Sequence, residues 1–461
     1  MRSHSFKLAS FILLAVLLIQ GMAPQAAVQA GHLPERPGSS TAASNINKQA
    51  PVAPAPHPIL SDVRVRRAIA YCTDKDALIA SGFPSLTPAE RQELVMDAFV
   101  PTTSWAYTAP ATTYPYNPAA GQALLNTAGW TLAGGADYRT KNGKELLLVL
   151  NTTTSPFRVT YLTVFENQMK ACGFHVVRNH QPAGWLFVYS LPVRDFELTA
   201  FAMGFSADPG GEALYACDQI PSPTNGWSGG NIMGWCNQAA SDAIVQASNT
   251  GLSQSERKAY YATFINYLAE DVPSLPLFEH EGSTPDSYSS EHIDFNLQTF
   301  TQIAELAPAA GAVLNYTDFS GNQGSVVVPT GAVTQAVTLG YTPLVSNGHT
   351  PPTNQQAAIA FRLGVALGGV PQDGFTFSKP VTMTVRYSDA NIFNIFDENS
   401  LVLYYWDGAA WQDASTTCPP ADQYKHLDTA LNLVEVNICH LSEFGLFGTQ
   451  KNRVYLPGIL R

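Results

Sequence analysis

Charge is scarce in this sequence, and long hydrophobic runs are absent beyond its first thirty residues. Only 13% of the 461 residues are charged, and 36 Asp and Glu exceed 25 Lys and Arg, which gives a formal net charge of −11. Sequence-independent nucleic-acid binding requires a cationic surface, so this balance excludes nucleic acid as a partner. The 45% hydrophobic content excludes a disordered chain, and the length predicts about three domains at roughly 150 residues each.

Two motifs of common enzyme classes are also absent. The sequence has no Gly-x-x-x-x-Gly-Lys phosphate loop and no HExxH metal-binding helix. No CxxC motif or His/Cys cluster has the ligand spacing of a zinc site. We therefore expect no enzymatic activity, no catalytic residue, no cofactor and no metal.

Residues 1–30 have the features of a secretory signal peptide. Basic residues precede the apolar run LASFILLAVLLIQ, and small residues stand before a cleavage site after Ala30. The run is shorter than the roughly 20 residues that span a bilayer, which disfavours the alternative of a membrane anchor. We expect a periplasmic protein, or an extracellular one at the cell surface, in which a Pro/Ala/Ser-rich linker over residues 31–57 follows the signal.

Cysteine is absent before Cys72, which excludes a lipid-modified cysteine at the cleavage site. An even number of cysteines in an exported chain favours three disulfides, although six cysteines allow 15 connectivities and free thiols remain an alternative. Proximity in the sequence suggests two of the disulfide pairs, and the two cysteines that remain form the third. The pairs are Cys217 with Cys236, Cys418 with Cys439, and Cys72 with Cys172.

Helix and strand patterns alternate over residues 58–310. The apolar run Leu146–Leu150, the amphipathic segment 158–172 and a second short apolar run predict a βαβ unit. This order predicts a doubly wound α/β domain. Further helices are expected at 63–72, 118–128, 239–248 and 253–270, and a further strand at 197–203.

Helical periodicity disappears after about residue 310, and residues 311–461 show short alternating strands separated by turns. This pattern predicts an all-β sandwich domain, with a hairpin at Asp407-Gly408 that joins Trp406 to Trp411. The segment GSVVVPTGAV at 324–333 resembles the opening of ZU5-like β-sandwich modules. Strands are expected at 325–328, 336–341, 357–363, 381–387, 401–406 and 434–438.

A series of segments in residues 58–280 resembles the family 5 extracellular solute-binding proteins, which include the oligopeptide and dipeptide receptors of ABC importers. The main segment is DVRVRRAIAY followed by TDKDALI, over residues 62–79. Each segment alone is a weak signal, but their common order makes the resemblance specific. The others are YNP at 116–118, LL at 124–125, AGW at 128–130, FEL at 196–198, ADP at 207–209, WCN at 235–237, ER at 256–257 and PSLPLF at 273–278.

The resemblance implies a type II periplasmic-binding-protein-like lobe and a role in solute import. In that family, two lobes close over a peptide or similar solute, and the complex docks on a permease in the inner or cell membrane. The matched segments correspond to the second, C-terminal lobe, and the signal peptide and linker stand where the first lobe would be. A separately encoded first lobe is therefore a further candidate partner, because one lobe alone leaves a ligand partly exposed.

The resemblance also selects ligand-binding candidates. Asp208 matches an aspartate that in family members binds the ligand's ammonium group through a charge-assisted hydrogen bond. The alternative is a turn, because Asp-Pro-Gly-Gly is good turn chemistry. Four aromatic residues are candidates for apolar pocket walls, although burial in an ordinary core is the commoner role of such side chains. They are Phe205, Trp185, Trp227 and Trp235.

Two basic segments have ordinary alternatives to a binding role. Arg194-Asp195 is a candidate clamp for a ligand carboxylate, but an exposed ion pair is the simpler interpretation. Arg64, Arg66 and Arg67 are expected on the solvated face of the first helix.

The sequence thus predicts a binding protein for a peptide or small polar solute. The alternatives are a secreted surface or adhesion protein, in which the lobe is a vestigial scaffold, and an inactive deletion remnant.

Overall fold

The computed structural model describes residues 52–280, 287–345 and 349–451, so the predicted signal peptide and residues 31–51 of the predicted linker lie outside the described residues. All described residues belong to one compact unit, Lys48–Arg461. Its longer helices are α1 (Val63–Cys72), α2 (Lys75–Gly82), α3 (Pro88–Leu94), α4 (Pro118–Thr127), α5 (Pro156–Cys172), α6 (Gln238–Ser248) and α7 (Gln254–Asp271). Shorter helical turns lie at Ala183–Trp185, Leu186–Ser190, Glu212–Tyr215, Cys217–Gln219, Pro223–Asn225, Glu398–Ser400 and Ala414–Thr417.

The α/β region is built on a five-stranded mixed sheet with the order β2-β1-β3-β5-β4. β1 is parallel to β2 and β3, whereas β5 runs antiparallel to β3 and β4. The strands are β1 (Leu147–Thr153), β2 (His175–Gln181), β3 (Leu198–Ser206), β4 (Ser274–Glu279) and β5 (Ser287–Phe295).

Local sequence signals explain where several helices begin. The Asp62 carboxylate accepts a hydrogen bond from the Arg64 amide at the start of α1. A capping box of Ser253 and Glu256 begins α7. The observed elements confirm the predicted helices and the predicted βαβ unit. The sequence patterns did not reveal β5, which is an interior strand of the sheet.

The two faces of the sheet are covered differently. On one face, Leu148 and Leu150 of β1 pack in a core with α1 and α5. On the other face, Phe205 and Tyr288 pack with α6 and α7. Because side chains alternate along a strand, Asn151 of β1 points away from the first core and toward the β-sandwich.

Two antiparallel sheets form the predicted β-sandwich, with the orders β6-β9-β10-β16-β12-β13 and β7-β8-β11-β15-β14. Its first strand, β6, begins at residue 302, and Trp406 pairs with Trp411 in the predicted hairpin. The strands are β6 (Gln302–Leu306), β7 (Ala312–Thr317), β8 (Gln323–Val328), β9 (Val337–Leu344), β10 (Gln355–Leu367), β11 (Thr376–Arg386), β12 (Val402–Trp406), β13 (Trp411–Asp413), β14 (Lys425–Asp428), β15 (Leu433–His440) and β16 (Glu443–Thr449). Strands of two residues lie at Ala55–Pro56, Thr140–Lys141, Lys144–Glu145, Gln298–Thr299 and Val370–Pro371.

A short antiparallel pair marks the limits of the α/β region. Ala55–Pro56 pairs with Gln298–Thr299, so the chain enters and leaves this region side by side. The first sandwich strand begins three residues after this pair. The sandwich therefore lies against the same end of the α/β region.

Three disulfides join the six cysteines in the predicted pairs, and this prediction is confirmed. One of them, Cys72–Cys172, links the C-terminal ends of α1 and α5. Among the helices within the described ranges, none combines the length and apolar character that crossing a bilayer requires.

The expectation that all three arginines of α1 lie on a solvated face is wrong for Arg66. Its side chain is 4% exposed and donates hydrogen bonds to the carbonyl oxygens of Asp271 and Leu60. These carbonyls include the end of α7, where backbone acceptors lack helical partners. Arg66 thus joins α1 to the C-terminus of α7.

Candidate functional site

Asp208 lies in a loop that follows β3. Its carboxylate forms a two-pronged ion pair with Arg257, with N–O distances of 2.7 Å and 2.5 Å. This guanidinium holds the pKa of the Asp208 carboxyl below its usual value, because it stabilises the charged form. Since 46% of the Asp208 side chain is exposed, the carboxylate keeps a face that a solute can reach.

The four aromatic candidates divide into two pairs. Phe205 and Trp235 are 8% and 4% exposed and belong to the core with α6 and α7, so they offer a solute little surface. Trp227 and Trp185 instead lie beside the β-sandwich. Trp227 packs against Phe300 and Phe319, and Trp185 lies 5.5 Å from His349 between ring centroids.

A polar cavity of about 290 Å³ lies between the α/β sheet and the β-sandwich and is partly open to solvent. The sheet contributes three amide side chains. Asn151 lies on β1, and Asn179 and Gln181 lie on the edge strand β2. The sandwich contributes Thr342 and Arg362 from two neighbouring strands. The walls therefore come from segments that are far apart in the sequence.

Arg194 and Asp195 both line this cavity, but they do not form the expected exposed pair. Arg194 is 3% exposed, and it donates hydrogen bonds to the Ile232 carbonyl and the Asn296 side chain. Burial lowers the pKa of Arg194 to about 10. Asp195 instead binds Arg362 of the sandwich, with 3.2 Å between Nη2 and Oδ2.

Glu197 lines the cavity, but its carboxylate is already hydrogen-bonded within the protein. One oxygen accepts a hydrogen bond from the Val149 amide at 2.7 Å, and the other lies 3.2 Å from His57 Nε2. The His57 Nδ1 atom accepts from the Leu60 amide, which places the ring proton on Nε2. Glu197 therefore anchors the start of β1 and is less free to bind a solute than its neighbour Asp195.

Two side-chain amides of the cavity have unused acceptors. The Oε1 atoms of Gln181 and Gln298 are buried and have no hydrogen-bond partner among the described residues. A buried acceptor without a partner costs about 1–3 kcal/mol, so such an atom calls for water or a ligand. Each of these two oxygens has less than 1 Å² of accessible surface, so neither faces the open space of the cavity.

The sequence interpretation missed the cavity side chains Asn151, Asn179, Gln181, Gln298 and Arg362. A usable signal was the polar end of the LLLVLNT run, because polar side chains at the carboxyl end of a buried strand often face a ligand crevice. No local pattern pointed to Arg362, since a polar residue on an alternating strand is usually solvated. Within the described residues, no group of three or more His, Cys, Asp or Glu side chains is placed to hold a metal ion.

A family model supports the relationship that the sequence segments indicate. The model for "Bacterial extracellular solute-binding proteins, family 5 Middle" matches residues 13–225, which is less than half of the chain. The matched range includes part of the predicted signal peptide and the linker, and it ends before the last resembling segments.

Curated relatives are similar at low identity over about half of the chain. The chain is 24% identical over 262 residues to a di/tripeptide-binding protein 3 of Pseudomonas aeruginosa, which covers 54% of this chain and 43% of the relative. It is 24% identical over 235 residues to a dipeptide-binding protein of the same species, which covers 48% of this chain and 38% of the relative. The chain thus matches less than half the length of each curated relative.

Solved structures of similar proteins match about half of the chain. An oligopeptide-binding protein of Bacillus subtilis in complex with a nonapeptide has a TM-score of 0.42 and 19% identity, over 52% of this chain and 44% of that protein. An oligopeptide-binding protein of Thermus thermophilus complexed with a pentapeptide has a TM-score of 0.43 and 19% identity, over 55% and 41% of the two chains.

Proposed function

We propose that this protein is an exported solute-binding component of an ABC-type importer and that it binds a peptide or another small polar solute. The observation that carries the proposal is the family-model match over residues 13–225. The permease of the importer is the proposed membrane partner, and a separately encoded first lobe is a second candidate partner. In this proposal, the described α/β region acts as the C-terminal lobe and the sandwich is a ZU5-like module.

Asp208 is the proposed contact for a ligand's ammonium group. Arg257 keeps the carboxylate charged and fixes its orientation, and the exposed face of Asp208 remains available to a cation. Trp185 and Trp227 are the proposed apolar wall residues, because they lie at the boundary with the sandwich. Phe205 and Trp235 would support the site from the core behind it.

The test is thermal unfolding of the chain from residue 31 in the presence of a mixture of di- to pentapeptides. A ligand that binds the native state raises the melting temperature, and a ligand at 100 times its Kd stabilises by about 2.7 kcal/mol. We expect a rise for wild type and a smaller rise for Asp208→Asn. Asp242→Asn is the matched control, since Asp242 is an exposed acid of α6 that bonds only to Gln238 among the described residues.

The same experiment separates the proposal from its alternatives. If no peptide shifts the melting temperature at millimolar concentration, and single amino acids and sugars tested in the same way do not shift it either, stand-alone solute binding is wrong. Such a result would favour a surface role in which the lobe is only a scaffold.

A further inference from the structure

We infer that the cavity between the α/β region and the β-sandwich binds a single free α-amino acid, and that the sandwich supplies the wall that closes this site. The inference rests on the proposed function and goes beyond it, because it concerns a second site that Asp208 does not line. It assigns the ligand's carboxylate to Arg362 and its ammonium group to Asp195. Arg362 lies outside the range that the family model matches.

The size of the cavity favours a small ligand. Ligand pockets commonly have volumes of about 300–1,000 Å³, and the cavity of about 290 Å³ lies just below this range. The α/β region and the sandwich also contact each other outside the cavity. Besides the Arg362–Asp195 pair, Lys144 bonds to Glu305 at 3.2 Å, and the Glu145 amide donates to the Gly368 carbonyl at 2.6 Å.

The arrangement of charge favours an α-amino acid over a peptide. Asp195 and Arg362 adjoin each other, and within the described residues their side chains form no other hydrogen bond. An α-amino acid carries its ammonium and carboxylate groups on one carbon, so an adjacent carboxylate and guanidinium can bind both groups at once. The termini of a peptide lie farther apart and would not both reach this pair.

The apolar surfaces of the cavity indicate which side chain the ligand carries. Phe300, Phe319 and Val193 line the same cavity and offer apolar surface to a ligand's side chain. This favours amino acids with apolar or aromatic side chains, for which L-leucine and L-phenylalanine are suitable probes.

The test is calorimetric titration of the chain from residue 31 with L-leucine and L-phenylalanine. We expect at least one of them to bind, and we expect Arg362→Gln to weaken binding by about tenfold to a hundredfold, because a charge-assisted hydrogen bond is lost. Lys144→Gln is the matched control. It breaks another ion pair between the same two parts of the protein, outside the cavity, and should change affinity by less than about twofold.

A second variant guards against a folding defect in Arg362→Gln. Asn179 is exposed on the edge strand β2, so Asn179→Trp should fold while its side chain fills the cavity. We expect this variant to lose amino-acid binding at an unchanged melting temperature. N-acetyl-L-leucine, which lacks the ammonium group, should bind about tenfold or more weakly than L-leucine.

Each outcome has one meaning. The inference is overturned if neither amino acid binds, because the cavity then holds only water. It is also overturned if binding is equal in wild type, Arg362→Gln and Asn179→Trp. If peptides bind and amino acids do not, the proposed function stands and this inference falls. If no solute of either class binds, both are wrong.

Discussion

Gly229 occupies a backbone position that excludes a side chain for two separate reasons. Its φ is +112°, and a Cβ atom built on it would lie 2.1 Å from the Gln219 carbonyl oxygen. Gly226 also has a positive φ, +66°, but a Cβ atom there would meet open space. The two glycines therefore separate the effect of backbone strain from the effect of a steric clash.

We expect Gly229→Ala to lower the free energy of unfolding by about 3 kcal/mol, because both strain and overlap with the backbone must be relieved. Gly226→Ala should cost about 1 kcal/mol from strain alone. Urea unfolding of both variants measures the difference. Equal losses would show that the loop moves to accept the new methyl group.

Single residues also show the limit of periodicity as a guide. The spacing of Val65 and Ile69 predicts the buried side of α1 correctly. The same spacing puts Arg66 in solvent, whereas the protein buries it to satisfy carbonyls at the end of α7. Burial lowers the pKa of Arg66 to about 10. The need for such a donor arises from another helix and is not encoded in the local sequence.

Asp294 of β5 is a carboxyl group inside the sheet. Ser274 donates a hydrogen bond to Oδ1, and Oδ2 has no partner among the described residues. Burial raises the pKa of Asp294 to about 7, since the charged form loses its hydration. A pKa raised above the unfolded value means that the folded state binds the proton more strongly, so stability falls as the pH rises from about 4 to about 7.

We therefore expect Asp294→Asn to be more stable than wild type by on the order of 4 kcal/mol at pH 8 and by about 1.5 kcal/mol at pH 5. Melting temperatures of both proteins between pH 5 and pH 8 measure this. A stability difference that does not change with pH would contradict the burial of a titrating carboxyl.

The disulfides differ in the length of chain that they close. Cys72–Cys172 joins positions 100 residues apart, and Cys418–Cys439 joins positions 21 apart. A crosslink restricts the unfolded chain more when its loop is longer. We expect replacement of both cysteines by alanine to cost about 5 kcal/mol for the first pair and about 3 kcal/mol for the second. Denaturant unfolding without reductant measures both, and a larger loss for the second pair would contradict the loop-length argument.

The element β5 shows why a central strand can escape a sequence-based prediction. Its sequence, SYSSEHIDF, contains serines and charged residues in place of an apolar run. Inside the protein, the buried Glu291 carboxylate is satisfied by Arg158 at 2.7 Å and by the Tyr161 hydroxyl at 2.8 Å. The partners come from α5, which lies more than a hundred residues earlier. A polar strand of this kind is recognisable only when its partners are known.

At the scale of the whole molecule, both regions were predictable but their contact was not. The alternating patterns predict the α/β region and the sandwich, because each has its own hydrophobic core. The cavity between them combines Asn151 of β1 with Arg362 of β10, and neither residue carries a local signal of this role. Docking depends on the complementarity of two surfaces, which hydrophobic periodicity does not describe.

Glu443 is a titrating group at this contact. It lines a small recess together with Trp185, Asp195 and Arg362, and its Oε1 atom has no partner among the described residues. Burial raises the pKa of Glu443 to about 7; the charge of Arg362 opposes this shift and the charge of Asp195 adds to it. His349, 3.6 Å from Oε2, is the other titratable group that faces it.

Because the folded state holds the Glu443 proton more strongly than the unfolded chain, the contribution of this group to stability declines as the pH rises from about 4.5 to about 7. Glu443→Gln remains neutral and should exceed wild type in stability by on the order of 2 kcal/mol at pH 8, with little difference at pH 5. Thermal unfolding of both proteins across this range gives the comparison. A contrary result would be an increase in the stability of wild type relative to the variant as the pH rises. Glu443 would then be ionised in the folded protein at every pH tested, and the charge of Arg362 would affect its pKa more than burial does.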